Sequence, residues 1–185
     1  MSGMQYRKNP NKALEVVLWF ANREPGIDVH RLLKLLFFAD KWHLNSYGRP
    51  IVGDNYCALK FGPAAMTTYD ILERKSELAW VLALDEGAFP FSVEPGPRKK
   101  HVRPLRPADT RKLSESDRAA LDWAYEKYGH LDFNTLKRLS HDHTAWQRGS
   151  EAPGTHMNYL DFLEGDNLNA ERIEELEELA QHIRC

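Results

Sequence analysis

The stretch from Val29 to about Ser46 constrains this chain more than any other part of it. Leu32, Leu33, Leu35, Leu36, Phe37, Phe38, Ala39, Trp42 and Leu44 fall on more than one side of a helical wheel. A helix that is apolar almost all round has to be surrounded by other elements. The segment therefore predicts a buried central helix with the rest of the fold wrapped around it. Asp28 suits its N-cap, and Gly48, inside Tyr47-Gly48-Arg49-Pro50, suits a left-handed stop.

The flanking segments supply the cover. A first helix is expected over Asn11–Asn22, with Asn9 as cap and Pro10 at the first helical position. Pro25-Gly26 then turns the chain. Ile51–Phe61 reads as extended, with Gly53-Asp54-Asn55 closer to a turn. Gly62-Pro63 opens a predicted third helix to about Lys75, with Ala65, Met66, Tyr69 and Leu72 as its buried face. Val81–Leu84 reads as a strand, or as the end of a helix begun near Ser76. Pro90, Pro95, Pro97, Pro104 and Pro107 exclude a long helix beyond it, and His101-Val102-Arg103 suits one strand of a small hairpin. So long a loop in a compact chain is functional or mobile. Ser114-Glu115-Ser116-Asp117 has the capping-box pattern, followed by an apolar stripe of Ala120, Leu121, Ala124 and Tyr128 and a stop at Gly129. Asp132 suits the cap of a helix bearing Phe133, Leu136 and Leu139. After Pro153-Gly154 comes a short element, Tyr159-Leu160-Phe162-Leu163. A last helix is expected over Ala170–Arg184, packing through Ile173, Leu176, Leu179 or Ala180, and Ile183; its late His182 and Arg184 complement the macrodipole. The expected fold is mainly α (α+β): a single compact helical domain over residues 1–185, with a small β-hairpin or extended element.

Composition narrows the function classes. The 185 residues carry 25 Lys and Arg against 27 Asp and Glu, and 42% are hydrophobic. That balance is globular rather than disordered, and it argues against a non-specific nucleic-acid binder. No apolar run approaches the ~20 residues that span a bilayer, and Met1–Pro10 lacks the apolar core of a signal peptide. Cys57 and Cys185 cannot make a disulfide framework or a four-sulfur zinc site. A cytoplasmic protein is expected.

Tests for chemistry yield little. Asp40 and His43 lie one turn apart on the central helix, and His141-Asp142-His143 offers a second pair, but no zinc, calcium or redox motif accompanies them. A hydrolytic or metal-dependent enzyme using Asp40, His43, His141 or His143 is the alternative reading. Cys57 sits in an apolar-leaning segment, where a cysteine more often packs than reacts. Phosphate-cradling glycine loops are absent. Charge is more informative. Arg98, Lys99, Lys100, Arg103, Arg106, Arg111 and Lys112 cluster, opposed nearby only by Asp109. Acids crowd the C-terminal segment from Asp161 to Glu178. The two segments could be unrelated surfaces, could meet within the fold or across a homo-oligomer, or one could dock a charged partner.

Two stretches go beyond generic helix signals. One runs Lys34-Leu35-Leu36-Phe37-Phe38-Ala39-Asp40-Lys41-Trp42-His43-Leu44, Tyr47-Gly48-Arg49-Pro50-Ile51, Gly53-Asp54, Ala58, Lys60, Phe61-Gly62-Pro63 and Tyr69-Asp70. The other runs Leu113-Ser114-Glu115-Ser116-Asp117, Tyr128-Gly129, Leu139-Ser140-His141-Asp142 and Ala145-Trp146. In order and spacing they resemble the Panacea domain of the SocA-like antitoxins, also known as phage-associated GepA-like proteins. The resemblance covers about residues 10–150, leaving 151–185 as a C-terminal helical extension.

The resemblance implies an antitoxin, without catalysis, metal or cofactor. It implies direct binding of a cognate toxin encoded by a neighbouring gene, and presentation to a ClpXP-type protease, as a SocA-like adaptor does. A phage-associated factor binding a host protein is a further alternative. Some relatives carry a DNA-binding domain; this chain has no room for one, and transcriptional self-regulation is not expected. Structural roles are expected for Asp40, Trp42, Tyr47, Gly48, Arg49, Pro50, Gly53, Asp54, Gly62, Pro63, Tyr69, His141 and Trp146. Among these, Gly62-Pro63 would start a helix, Arg49 would pair with Asp54 or Asp40, and Tyr47, Asp54, Tyr69 and Trp146 would fix the loop after the central helix. A toxin that varies among relatives is best read by loops, which points to Arg98, Lys99, Lys100, Arg103 and Arg106.

Overall fold

Asn9 starts the first helix: its side chain accepts the Lys12 N–H at 3.1 Å, and Pro10 occupies the first position of α1 (Pro10–Arg23). A computed structural model describes residues 3–85, 88–183 and 185. After α1 the chain turns through Gly26, whose φ of +97° favours glycine. It forms a short strand, β1 (Ile27–Asp28), and enters α2 (Val29–Tyr47). Asp28 caps α2 by accepting the Arg31 N–H, and Gly48 ends it in the left-handed conformation at φ +75°. Leu32, Leu35, Leu36, Phe37, Ala39 and Leu44 are fully buried. The helix runs through the middle of the molecule, as its all-round apolar character requires.

Next comes a hairpin of β2 (Tyr56–Leu59) and β3 (Gly62–Ala65), with Tyr56 opposite Ala65 and Leu59 opposite Gly62. This corrects the expectation that Gly62-Pro63 starts a helix. Gly62 has φ +104°, which no helix adopts, and it closes the tight turn at Lys60-Phe61. Helix α3 (Met66–Leu72) follows the strand. Its buried side carries Thr67, Thr68, Ile71 and Leu72, while Met66 and Tyr69 are only half-buried. The shift of face follows from Asp54, which holds the first turn through Thr67 and Thr68.

Helix α4 (Ser76–Val81) takes the helical option at Val81 rather than the strand. Strands β4 (Phe91–Pro95) and β5 (Lys100–Pro104) form the expected hairpin, and β1 completes a sheet in the order β1-β5-β4. Val102 sits at its centre, opposite Ile27 and Val93. Helix α5 (Glu115–Tyr128) begins with the predicted capping box between Ser114 and Asp117. Helices α6 (Phe133–His141) and α7 (Thr144–Glu151) follow, with Asp132 capping α6. The 3-10 turn Tyr159–Phe162 leads on to α8 (Ala170–His182), which buries Leu176 and Ala180; Arg184, the last residue of the expected helix, lies outside the described residues.

The segment after α7 joins the same core. Phe162 packs on Phe37 and Tyr56, with ring centroids at 5.3 and 5.4 Å, and the Tyr159 hydroxyl donates to the Asp54 carbonyl at 2.8 Å. No described helix is long and apolar enough to cross a membrane.

Candidate interaction surface

Three polar clusters fix the inner geometry. In the first, Asp40 on α2 is fully buried, accepting the Ile51 N–H at 2.7 Å and the Tyr56 hydroxyl at 2.8 Å. Burial pushes its carboxyl up to about 7, against these two donors. In the second, Asp54 accepts the backbone N–H groups of Thr67 and Thr68 and the Thr68 hydroxyl, each at 2.8 Å. It caps α3 from twelve residues upstream, where α3's own N-cap residue, Ala65, has no side chain to do so. The third centres on Asp117, which meets Lys12 at 2.9 Å, Arg49 at 3.0 Å and His43 at 3.4 Å. Burial alone would raise the Asp117 carboxyl, but Lys12 and Arg49 outweigh it and hold it below the usual range. Arg49 therefore pairs with Asp117 and not with Asp40 or Asp54.

The other motif residues take places around these clusters. Trp42 stacks on Trp123 of α5, and Tyr47 is exposed at the end of α2 against Trp42 and His43. Pro50 is buried and its carbonyl accepts from Arg49. Gly53, at φ +67°, lies under Tyr6 and Cys185. Pro63 accepts the Lys34 ammonium through its carbonyl. Tyr69 borders the cleft under the β4–β5 turn. His141 stacks on Trp146 at 3.6 Å, and the Trp146 indole N–H donates to the Leu59 carbonyl.

The candidates for chemistry do not converge. Asp40 faces Ile51 and Tyr56, whereas His43 donates from Nδ1 to the Arg49 carbonyl and meets the Ser116 hydroxyl through Nε2. His143 accepts from Lys41 at 2.6 Å; burial and that ammonium pull it down to about 4. Lys41 also pairs with Glu164. The Cys57 thiol lies 3.6 Å from His156 and is pushed up by burial, away from the reactive thiolate. Among the described residues, no group of three or more His, Cys, Asp or Glu is placed to hold a metal ion.

The basic segment is not one loop, and Asp109 is not its only opposing charge. Arg98 and Lys99 lie in the β4–β5 turn, Lys100 and Arg103 on β5, and Arg106 beyond it. Lys99 pairs with Asp28, Lys100 with Glu73, Arg103 with Glu94, and Arg106 with the fully buried Glu15 at 2.8 Å. Asp28, Glu73 and Glu15 come from distant parts of the chain, and Glu94 comes from the facing strand of the same hairpin. Arg98 has no ion pair among the described residues. The C-terminal acids pair elsewhere: Asp161 with Arg148, Glu164 with Lys41, Glu175 with Arg172.

A feature missed in the sequence lies between α4 and the β4–β5 hairpin. There a groove of about 890 Å³ is lined by Ala79, Trp80, Leu84, Phe89, Phe91 and Leu105. Trp80 is 89% exposed and Leu105 69%; Val81, beside them on α4, is 57% exposed. The available signal was local: Ala79 and Leu82 already supply the buried side of α4, leaving Trp80 and Val81 facing outward without cover.

These elements define a mainly α protein built around one buried helix, with two small antiparallel sheets against it. The family described as "Antitoxin SocA-like, Panacea domain" matches residues 32–147, from α2 to α7, and the chain belongs to that family. No curated protein and no solved structure was found to match this chain.

Proposed function

We propose that this protein neutralises a cognate toxin by binding it directly, with the toxin seated on the groove between α4 and the β4–β5 hairpin. The observation that carries the reading is the convergence of the exposed Trp80 and Leu105 on one groove, on a chain whose family is antitoxin-like. An exposed tryptophan beside an apolar hollow is the kind of anchor that dominates binding between proteins. Arg98, in the turn of the same hairpin, and Arg103 on β5, paired with Glu94, carry positive charge on the adjoining surface of that hairpin. Lys99 and Lys100 add to that charge, each already held by an acid, and Arg106 holds Glu15 and serves the fold. An interface of ordinary size, about 800 Å² per partner, would extend across both elements. Occluding the toxin needs only this surface; handing it to a ClpXP-type protease in the cytoplasm would use the same complex.

The test is co-expression with the product of the neighbouring gene. Trp80→Ala combined with Leu105→Ala is expected to abolish growth rescue and pull-down while the melting temperature stays unchanged. Arg98→Glu with Arg103→Glu should weaken binding without unfolding the protein. Full rescue by the Trp80/Leu105 variant would remove the groove from the reading. A neighbouring product that is harmless alone would remove the toxin.

A further inference from the structure

Lys34 of α2 is 4% exposed, and among the described residues its ammonium has a single acceptor, the Pro63 carbonyl at 2.8 Å. No carboxylate among the described residues forms an ion pair with it. The acid that most influences it, Asp28, is engaged by the Arg31 N–H at 2.9 Å and the Lys99 ammonium at 3.3 Å. A buried charge without a counter-charge is among the most costly arrangements a fold can hold. The cost here is built in. Gly62 passes so close that a Cβ would lie 2.5 Å from the Lys34 side chain. Burial pulls Lys34 down to about 7, so the ammonium is held at the edge of neutrality.

Above Lys34, His30, Phe61 and Phe133 form an edge-to-face triangle, with centroid separations of 5.8, 5.8 and 5.9 Å. Lys60 and Lys137 each sit 5.6 Å from the Phe61 ring, and Lys99 sits 5.4 Å from Phe133. A void of about 10 Å³, room for one water-sized group, lies among Lys34, Phe61, Phe133 and Lys137. Phe61, at its edge, is exposed.

We propose that this cluster is a receptor for a carboxylate of an acidic polypeptide segment, entering beside Phe61 and giving Lys34 its missing counter-charge. The void has room for one oxygen of the entering carboxylate. Nucleic acid is disfavoured because lysine ammoniums already cover the ring faces on which bases would stack. The site goes beyond the toxin groove and shares no lining residue with it.

The test uses the purified full chain and hexaglutamate, without any toxin, so its outcome is separate from growth rescue. Hexaglutamate is expected to bind saturably and to shift the NMR signal of the Lys34 side chain. Lys34→Met replaces a buried charge with an apolar chain of similar length, and is expected to fold and to weaken binding by about tenfold. Lys60→Glu with Lys137→Glu changes only side chains at the surface of the cluster and should weaken it similarly, deciding the matter if Lys34→Met fails to fold. Absence of saturable binding would overturn the proposal, as would binding undiminished in the Lys60/Lys137 variant. Binding of oligothymidylate in place of hexaglutamate would overturn it too.

Discussion

Asp40 shows how much one buried group decides. Its folded-state pKa lies near 7, above the ordinary 3.8, so the folded chain holds this proton more tightly than the unfolded chain. The stabilisation is complete at pH values below the ordinary value and is lost as pH rises through the raised one. Asp40→Asn keeps an acceptor for Ile51 N–H and removes the titration. The difference in urea midpoint between wild type and Asp40→Asn should therefore move against wild type between about pH 4 and about pH 7. Parallel pH dependences of the two proteins would refute it. The sequence showed that Asp40 lies on an apolar helix and would need a polar contact. It could not show that Tyr56 and Ile51 provide it, nor that Arg49 reaches past both nearby acids to Asp117. Ion pairs are chosen by three-dimensional proximity, and Asp117 is carried to Arg49 by the packing of α5 on α2.

At the scale of elements, end signals were the most legible part of the chain. Asn9, Asp28, Ser114 and Asp132 each cap the helix expected of them, because a cap is a contact within three residues. Gly62-Pro63 was misread because the pair suits either a helix start or a hairpin. The pairing of β3 with β2, under Lys34 and Ser140, chose the hairpin. Gly62→Ala should lower stability by about 1–3 kcal/mol, through positive-φ strain and collision with Lys34 and Ser140. Gly26→Ala, at a comparable φ of +97° but with no atom closer than 3.7 Å to the added methyl, is the control for strain alone. Equal melting temperatures for the two variants would show that the collision contributes nothing.

At the scale of the molecule, residues beyond the family match at 147 complete the core built within it. Phe162→Ala should cost about 3–5 kcal/mol, as other buried aromatic truncations do, and leave one cooperative unfolding transition. A second, separate transition would show that the tail folds on its own. Helix positions, caps and the central place of α2 could be read from residue order, because each depends on periodicity or on neighbours a few residues away. The partners of Arg49, the acids that neutralise the basic segment, the burial of the Lys34 ammonium against the Pro63 carbonyl and the groove beside Trp80 could not. Each arises where segments far apart in the chain meet, and solvent exclusion at those meetings sets which charges are matched and which apolar surface stays open.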